Sequence, residues 1–151
     1  MATKTTAKKE VETEEDVIDV SQFFSMENEE NGIWFEASVN KYPTGIEFKV
    51  YGPNSKKVWV SGKKYTKALE ELEDEANDEK KHDKENELLI QAVVERICGI
   101  RGKDGKKIKL KGKDITLEDV PTLLLNSPAM AISVWNFCQK GDNFLEMKKK
   151  N

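Results

Sequence analysis

Ile33-Trp34-Phe35-Glu36-Ala37-Ser38-Val39 and Ile46-Glu47-Phe48-Lys49-Val50-Tyr51 are two runs whose side chains alternate, and their reading decides the fold class. In the first, Ile33, Phe35, Ala37 and Val39 share one face, with Trp34, Glu36 and Ser38 on the other. In the second, Ile46, Phe48 and Val50 share a face, and Glu47, Lys49 and Tyr51 oppose it. A period of two places alternate residues on opposite sides of a strand, so each run is a half-buried strand. Tyr42-Pro43-Thr44-Gly45 between them supplies turn residues, and the pair reads as a β-hairpin.

Past the hairpin, Gly52-Pro53-Asn54-Ser55 offers Asn54 or Ser55 as a helix N-cap. The period then changes. Val58, Gly62, Tyr65, Leu69, Leu72 and Ala76 recur at alternating steps of four and three, the spacing of one stripe on an α-helix. Gly62 weakens that helix by about 1 kcal/mol relative to alanine. The stripe is too short for a free coiled coil, so it predicts the core-facing side of one amphipathic helix.

Between residues 74 and 87 the chain is almost wholly charged, Ala76 being its one apolar residue. This stretch predicts a solvated helix end or a flexible linker, and a subdomain boundary over 77–87. Beyond it, Leu88, Leu89, Ala92, Val93, Ile97 and Ile100 are dense enough for a mostly buried helix, stopped by Gly99 and Gly102. Asp104-Gly105 then suggests a short hairpin ending in Ile108 and Leu110. Thr116 caps a further helix, with Glu118 and Asp119 in its first turn and Pro121 nearby. Ser127-Pro128 opens a last helix that Gly141 ends.

Working back to the N-terminus, residues 1–20 are Thr/Lys-rich and then acidic, too polar to offset the entropy of ordering. The expected organisation is therefore α+β. A disordered arm over 1–30 precedes an N-terminal β-hairpin plus amphipathic helix over 31–76. The 77–87 linker leads to a small, mostly helical unit over 88–145 with a short basic hairpin, and a basic tail follows over 146–151. On the arm, Val17, Ile18, Val20, Phe23 and Phe24 form an apolar patch. It either docks on its own domain or binds another subunit.

Composition narrows the function classes. The chain has 151 residues, enough for one domain that buries roughly 68–70% of its unfolded surface without staples. Lys+Arg 25 against Asp+Glu 28 leaves a net charge of −3, which favours neither a polyanion nor a general cation partner. Two cysteines, Cys98 and Cys138, make no disulfide framework and no C-x-x-C. No signal-peptide core opens the chain and no apolar run is long enough for a membrane span, so a soluble intracellular protein is expected.

Catalytic and cofactor signatures are missing. The single histidine, His82, sits in the charged run and reads as a solvated side chain. Cys98 and Cys138 lie among apolar residues and read as small core residues without a histidine to activate them. Gly99, Gly102 and Gly105 lack the spacing of a phosphate-binding loop, and the acidic run lacks that of a calcium loop. No enzyme, cofactor or metal is expected.

Binding features remain. Arg101, Lys103, Lys106, Lys107, Lys109, Lys111 and Lys113 crowd one short segment against a single acid, Asp104. Such a cluster either neutralises phosphates or protects a sheet edge from aggregation. No aromatic interleaves the lysines, so a base-stacking platform is missing and nucleic acid is not the expected partner. Phe23, Phe24, Tyr65, Leu69 and Leu72 are the candidate self-association residues, and a homo-oligomer is expected.

The order of elements, together with ELLIQAVVERICGIRGKDGKKI at 87–108, LEDVPTLLLNSPAMAISVWNF at 117–137 and NFL at 143–145, resembles the tail assembly chaperones of long-tailed bacteriophages. The resemblance covers roughly residues 33–145. It implies a non-enzymatic protein of the infected cell's cytoplasm, absent from the mature virion. It also implies one that coats the tape measure protein and helps recruit tail tube subunits. Lys148-Lys149-Lys150-Asn151 fits the adenine-rich slippery codons at which that family shifts ribosomal frame, and the expectation is that this chain is the short, unshifted product. The alternatives are a nucleic-acid-binding accessory protein using residues 101–113, or a head–tail joining structural protein.

Overall fold

The computed structural model describes residues 16–149, and the fold is α+β. The early part of the expected disordered arm, over 1–15, and the Lys150-Asn151 end of the basic tail lie outside the described residues.

β1 (Ile33–Val39) and β2 (Tyr42–Val50) form the antiparallel hairpin, with Ile33 opposite Val50 and Phe35 opposite Phe48. The turn falls earlier than the sequence suggested. Asn40 and Lys41, at φ 49° and 73°, make the two-residue reversal, a left-handed pair that matches the strands' own twist. Thr44 and Gly45 belong instead to an irregularity inside β2. There the Thr44 hydroxyl donates to Ala37 O at 2.8 Å, and Gly45, at φ 75°, donates its N–H to the Glu36 carboxylate.

Ser55 caps α2 (Lys56–Leu72), its side chain accepting from Val58 N–H at 3.3 Å. Two corrections concern what comes next. The 77–87 segment is not a linker: α3 (Asp78–Glu95) begins there. Asn77 accepts from Lys80 N–H at 3.0 Å, Asp78 and Glu79 complement the helix dipole, and Lys and Glu are good helix formers. The helix then stops at Glu95, before the expected end. Residues 97–102 form a strand, β3 (Ile97–Gly102), which pairs antiparallel with β2 and completes a three-stranded sheet in the order β1-β2-β3. A bulge leaves Cys98 unpaired, because Val50 faces Ile97 and Lys49 already faces Gly99. Gly99 is glycine for space: a Cβ there would stand 2.8 Å from the Trp34 ring.

Asp104-Gly105 forms a tight 3-10 turn (Lys103–Gly105) rather than the expected hairpin loop. The hairpin is a smaller one, β4 (Lys109–Leu110) with β5 (Lys113–Asp114), turned by Lys111 and Gly112 at φ 51° and 84°. The Thr116 capping box is present, Asp119 accepting from Thr116 N–H at 2.9 Å. It leads into α4 (Val120–Asn126), and α5 (Pro128–Gln139) follows at Ser127-Pro128.

One core joins these elements. Ala37, Phe48 and Val50 from the sheet meet Ile90 and Val93 of α3, Leu124 of α4 and Val134 of α5. Phe35 stacks on Phe137 with ring centroids 4.0 Å apart, and Phe144 meets Phe137 edge-on at 5.9 Å. The hairpin and the C-terminal helices therefore share buried surface across the expected subdomain boundary.

The arm also needs correcting. Val20–Phe23 is a 3-10 turn, and Met26–Asn31 is a helix, α1, with Asn28 and Glu29 buried. Asn28 Nδ2 donates to Phe144 O at 2.8 Å, which ties α1 to the core. At the other end Glu146–Lys149 is a last helical turn, α6, whose Glu146 N–H donates to Phe24 O at 2.9 Å.

Candidate functional site

The apolar patch of the N-terminal segment stays at the surface. Ile18 is 75% exposed, Val20 64%, Phe23 55% and Phe24 61%, and Val17 is also exposed. Met147 on α6 is exposed too, and the Glu146–Phe24 bond brings its segment beside the phenylalanines. A cluster of large apolar side chains left in water marks an interaction surface more often than chance scatter does.

Tyr65, Leu69 and Leu72 are placed differently. They lie half-buried on α2, which packs along α3. Tyr65 meets Trp135 edge-on at 5.8 Å, and burial, with Glu85 nearby, raises its hydroxyl pKa. Much of this stripe is thus used within the chain. The large apolar side chains that α2 leaves exposed are Trp59 and Val60, at 60% and 59%.

The basic segment divides in two. Arg101 Nε donates to Glu47 at 2.6 Å while its guanidinium lies 4.0 Å over Trp34, and Lys103 pairs with Glu36 at 3.0 Å. That pairing, with the Gly45 N–H, holds the Glu36 carboxyl below the ordinary carboxylate range and raises Lys103. Both cations thereby brace β3 and its following turn against the hairpin. Lys106, Lys107, Lys109, Lys111 and Lys113 are exposed and make no ion pair among the described residues. Lys106 and Lys107 border an open depression of about 700 Å³ that Asp104 and Asp114 also line.

Of the two cysteines only Cys138 belongs to the core. Cys138 is buried, and burial drives its thiol up to about 12 although Arg96 opposes the shift. Cys98 is half-buried and its pKa is also raised, chiefly by burial. His82 sits exposed on α3. Among the described residues no group of three His, Cys, Asp or Glu could hold a metal ion, and no helix is long and apolar enough to cross a membrane.

Two buried charges escaped the sequence reading. Glu29 is fully buried, and Arg96 is 5% exposed. Arg96 stands with Glu95 between apolar residues, Val93-Val94 before and Ile97 after, and that interruption was the available signal. Glu29 had none, because its neighbours in Met26–Asn31 are themselves polar.

Compared with known protein families, characterised proteins and solved structures, the chain matches none.

Proposed function

We propose that this chain is a tail assembly chaperone of a long-tailed bacteriophage: it self-associates, coats the tape measure protein in the infected cell's cytoplasm, and helps recruit tail tube subunits. The observation that carries the reading is the exposed apolar patch of Ile18, Val20, Phe23 and Phe24, extended by Met147 of α6. A chaperone for a long, aggregation-prone helical protein needs such a surface, together with enough charge to stay dissolved. The chain supplies that charge at both signs, Lys+Arg 25 and Asp+Glu 28. The resemblance in element order supplies the partner's identity.

Co-expression tests it. The chain is produced with the tape measure protein of the same phage, and the soluble fraction is analysed by affinity capture and sizing. The expected result is a stable complex and a tape measure protein that stays soluble only when the chain is present. A tape measure protein equally insoluble with and without it sinks the proposal.

A further inference from the structure

Arg96 caps the C-terminus of α3 and is 95% removed from solvent, yet no carboxylate pairs with it directly: Glu95 reaches it only through the Ser61 hydroxyl. Its two hydrogen bonds are both made by Nη1, to Ser61 Oγ at 2.9 Å and to Ala92 O at 2.7 Å. The adjacent Glu95 is committed elsewhere, one oxygen accepting from Ser61 Oγ–H and the other from Lys64 Nζ. Trp135 covers a face of the guanidinium, with Arg96 Cζ 4.8 Å from the ring centroid. A buried cation without a direct ion pair is expensive, and natural proteins pair such groups almost always.

The unused donors, Nε and Nη2, have an outlet. Among the described residues no sealed side-chain nitrogen or oxygen lacks a partner, so these donors meet solvent. Nη2 lies 4.0 Å from where a Cβ on Gly62 would stand, and Arg96 is among the residues lining an open groove of about 660 Å³ along that side of α2. Trp59 forms the wall, 60% exposed, with Lys63 Nζ drawn over its ring at 4.0 Å.

We infer that this groove binds a carboxylate attached to an apolar or aromatic body, the carboxylate on the free edge of Arg96 and the body against Trp59. With Nη1 engaged, the edge that remains is Nε–Nη2, a planar fork that matches a carboxylate's two oxygens. A phosphate dianion suits the groove less well. It calls for a second fixed cation beside Arg96, whereas Lys63 is held over Trp59, and Lys67, the other cation of the lining, is an exposed side chain that shares the groove with Glu70. The carboxylate belongs either to a polypeptide, as an acidic side chain or chain terminus, or to a small organic acid. This site is separate from the Phe23/Phe24 patch and stands or falls without the chaperone reading.

Nitrogen-edited NMR of the full chain tests it, following Arg96 Nε–H and the Trp59 indole N–H. Phenylacetate, a peptide ending in Phe with a free carboxylate, and a C-terminally amidated peptide carrying internal Glu are titrated separately, with phenylacetamide and inorganic phosphate as controls. Both resonances should shift saturably with at least one carboxylate, and whichever binds tightest names the source. Phenylacetamide should bind about tenfold more weakly or worse, the loss of a charge-assisted bond. Arg96→Lys should abolish the response, and Gly62→Leu serves if that variant fails to fold, since it covers Nη2 and leaves Arg96 in place. Equal binding of phenylacetamide, stronger binding of phosphate, no saturable shift with any carboxylate, or wild-type binding by folded Gly62→Leu each overturns the inference.

Discussion

Glu29, with no solvent exposure, accepts the backbone N–H of Asn54 at 2.7 Å, and this contact fastens α1 to the loop that starts α2. Ser25 Oγ–H at 2.6 Å and Asn54 Nδ2 at 3.3 Å supply the other oxygen, so the carboxylate is solvated by the protein instead of water. Gly52 makes the arrangement possible, because a Cβ there would collide with the Glu29 side chain.

Glu29→Ala should therefore cost about 2–4 kcal/mol, since it strands buried donors as well as losing the bonds. Gly52→Ala should cost about 1–3 kcal/mol by overpacking. The two penalties should add only in part, because truncating Glu29 removes the Cγ and Oε1 that crowd the added methyl group while the Cβ, 2.6 Å away, stays. Urea denaturation of both single variants and the double variant checks this. Simple additivity would mean that the two residues do not share the contact.

None of that latch was legible in one dimension. Periodicity reports which face is apolar, and it found the hairpin faces; residue type narrowed one helix start to Asn54 or Ser55 and placed two others at Thr116 and Ser127-Pro128. Periodicity failed where two structures share a pattern. The run from Leu88 to Ile100 is dense in apolar residues, and a helix passing into a buried strand looks the same as a continuous helix until its pairing partner is known. The charged run misled in the opposite sense: composition suggested a linker, while helix propensity and the Asn77 cap decide the local structure. At the candidate sites, the sequence left open whether Phe23 and Phe24 dock on their own domain or on another subunit, and only the fold shows them exposed. The neutralisation of Arg101 and Lys103 by Glu47 and Glu36 was not readable either, since those partners lie 54 and 67 residues away.

If the N-terminal patch carries self-association, Phe23→Ser with Phe24→Ser should lower the mass measured by light scattering and leave circular dichroism unchanged. Both side chains are more than half exposed, so their loss removes little packing within the chain. An unchanged mass, or a wild type that is monomeric at high concentration, would remove the patch from the proposal.

For the basic edge the expected outcome is weak, salt-sensitive binding to duplex DNA. Five lysines without ion-pair partners remain after Arg101 and Lys103 are tied to the hairpin. Neutralising about five phosphates gives a slope near −4 to −5 in log affinity against log salt, which erases binding at physiological ionic strength. Fluorescence anisotropy over a salt series measures it. A submicromolar complex that persists in physiological salt would make nucleic acid the partner.

Cys138 should shape the alkaline limb of the stability curve. In the unfolded chain its thiol ionises near the ordinary value of 9.0, and in the fold burial moves it to about 12. The folded state therefore favours the protonated form. Below about pH 9 both states keep the proton, and the group leaves stability unchanged with pH. Between about 9 and 12 the unfolded chain releases the proton first, so stability falls as pH rises, by up to about 1.4 kcal/mol per unit. Tyr51, Tyr65 and Cys98, all raised, steepen the same limb, so the variant comparison isolates Cys138. Cys138→Ala should lower stability by about 1 kcal/mol at neutral pH through a small cavity, and it should then lose less than wild type as the pH climbs. Urea midpoints at about pH 8 and about pH 10.5 give the two slopes. Parallel slopes would show that the Cys138 thiol ionises as easily in the fold as outside it, and that burial beside Arg96 does not hold its proton.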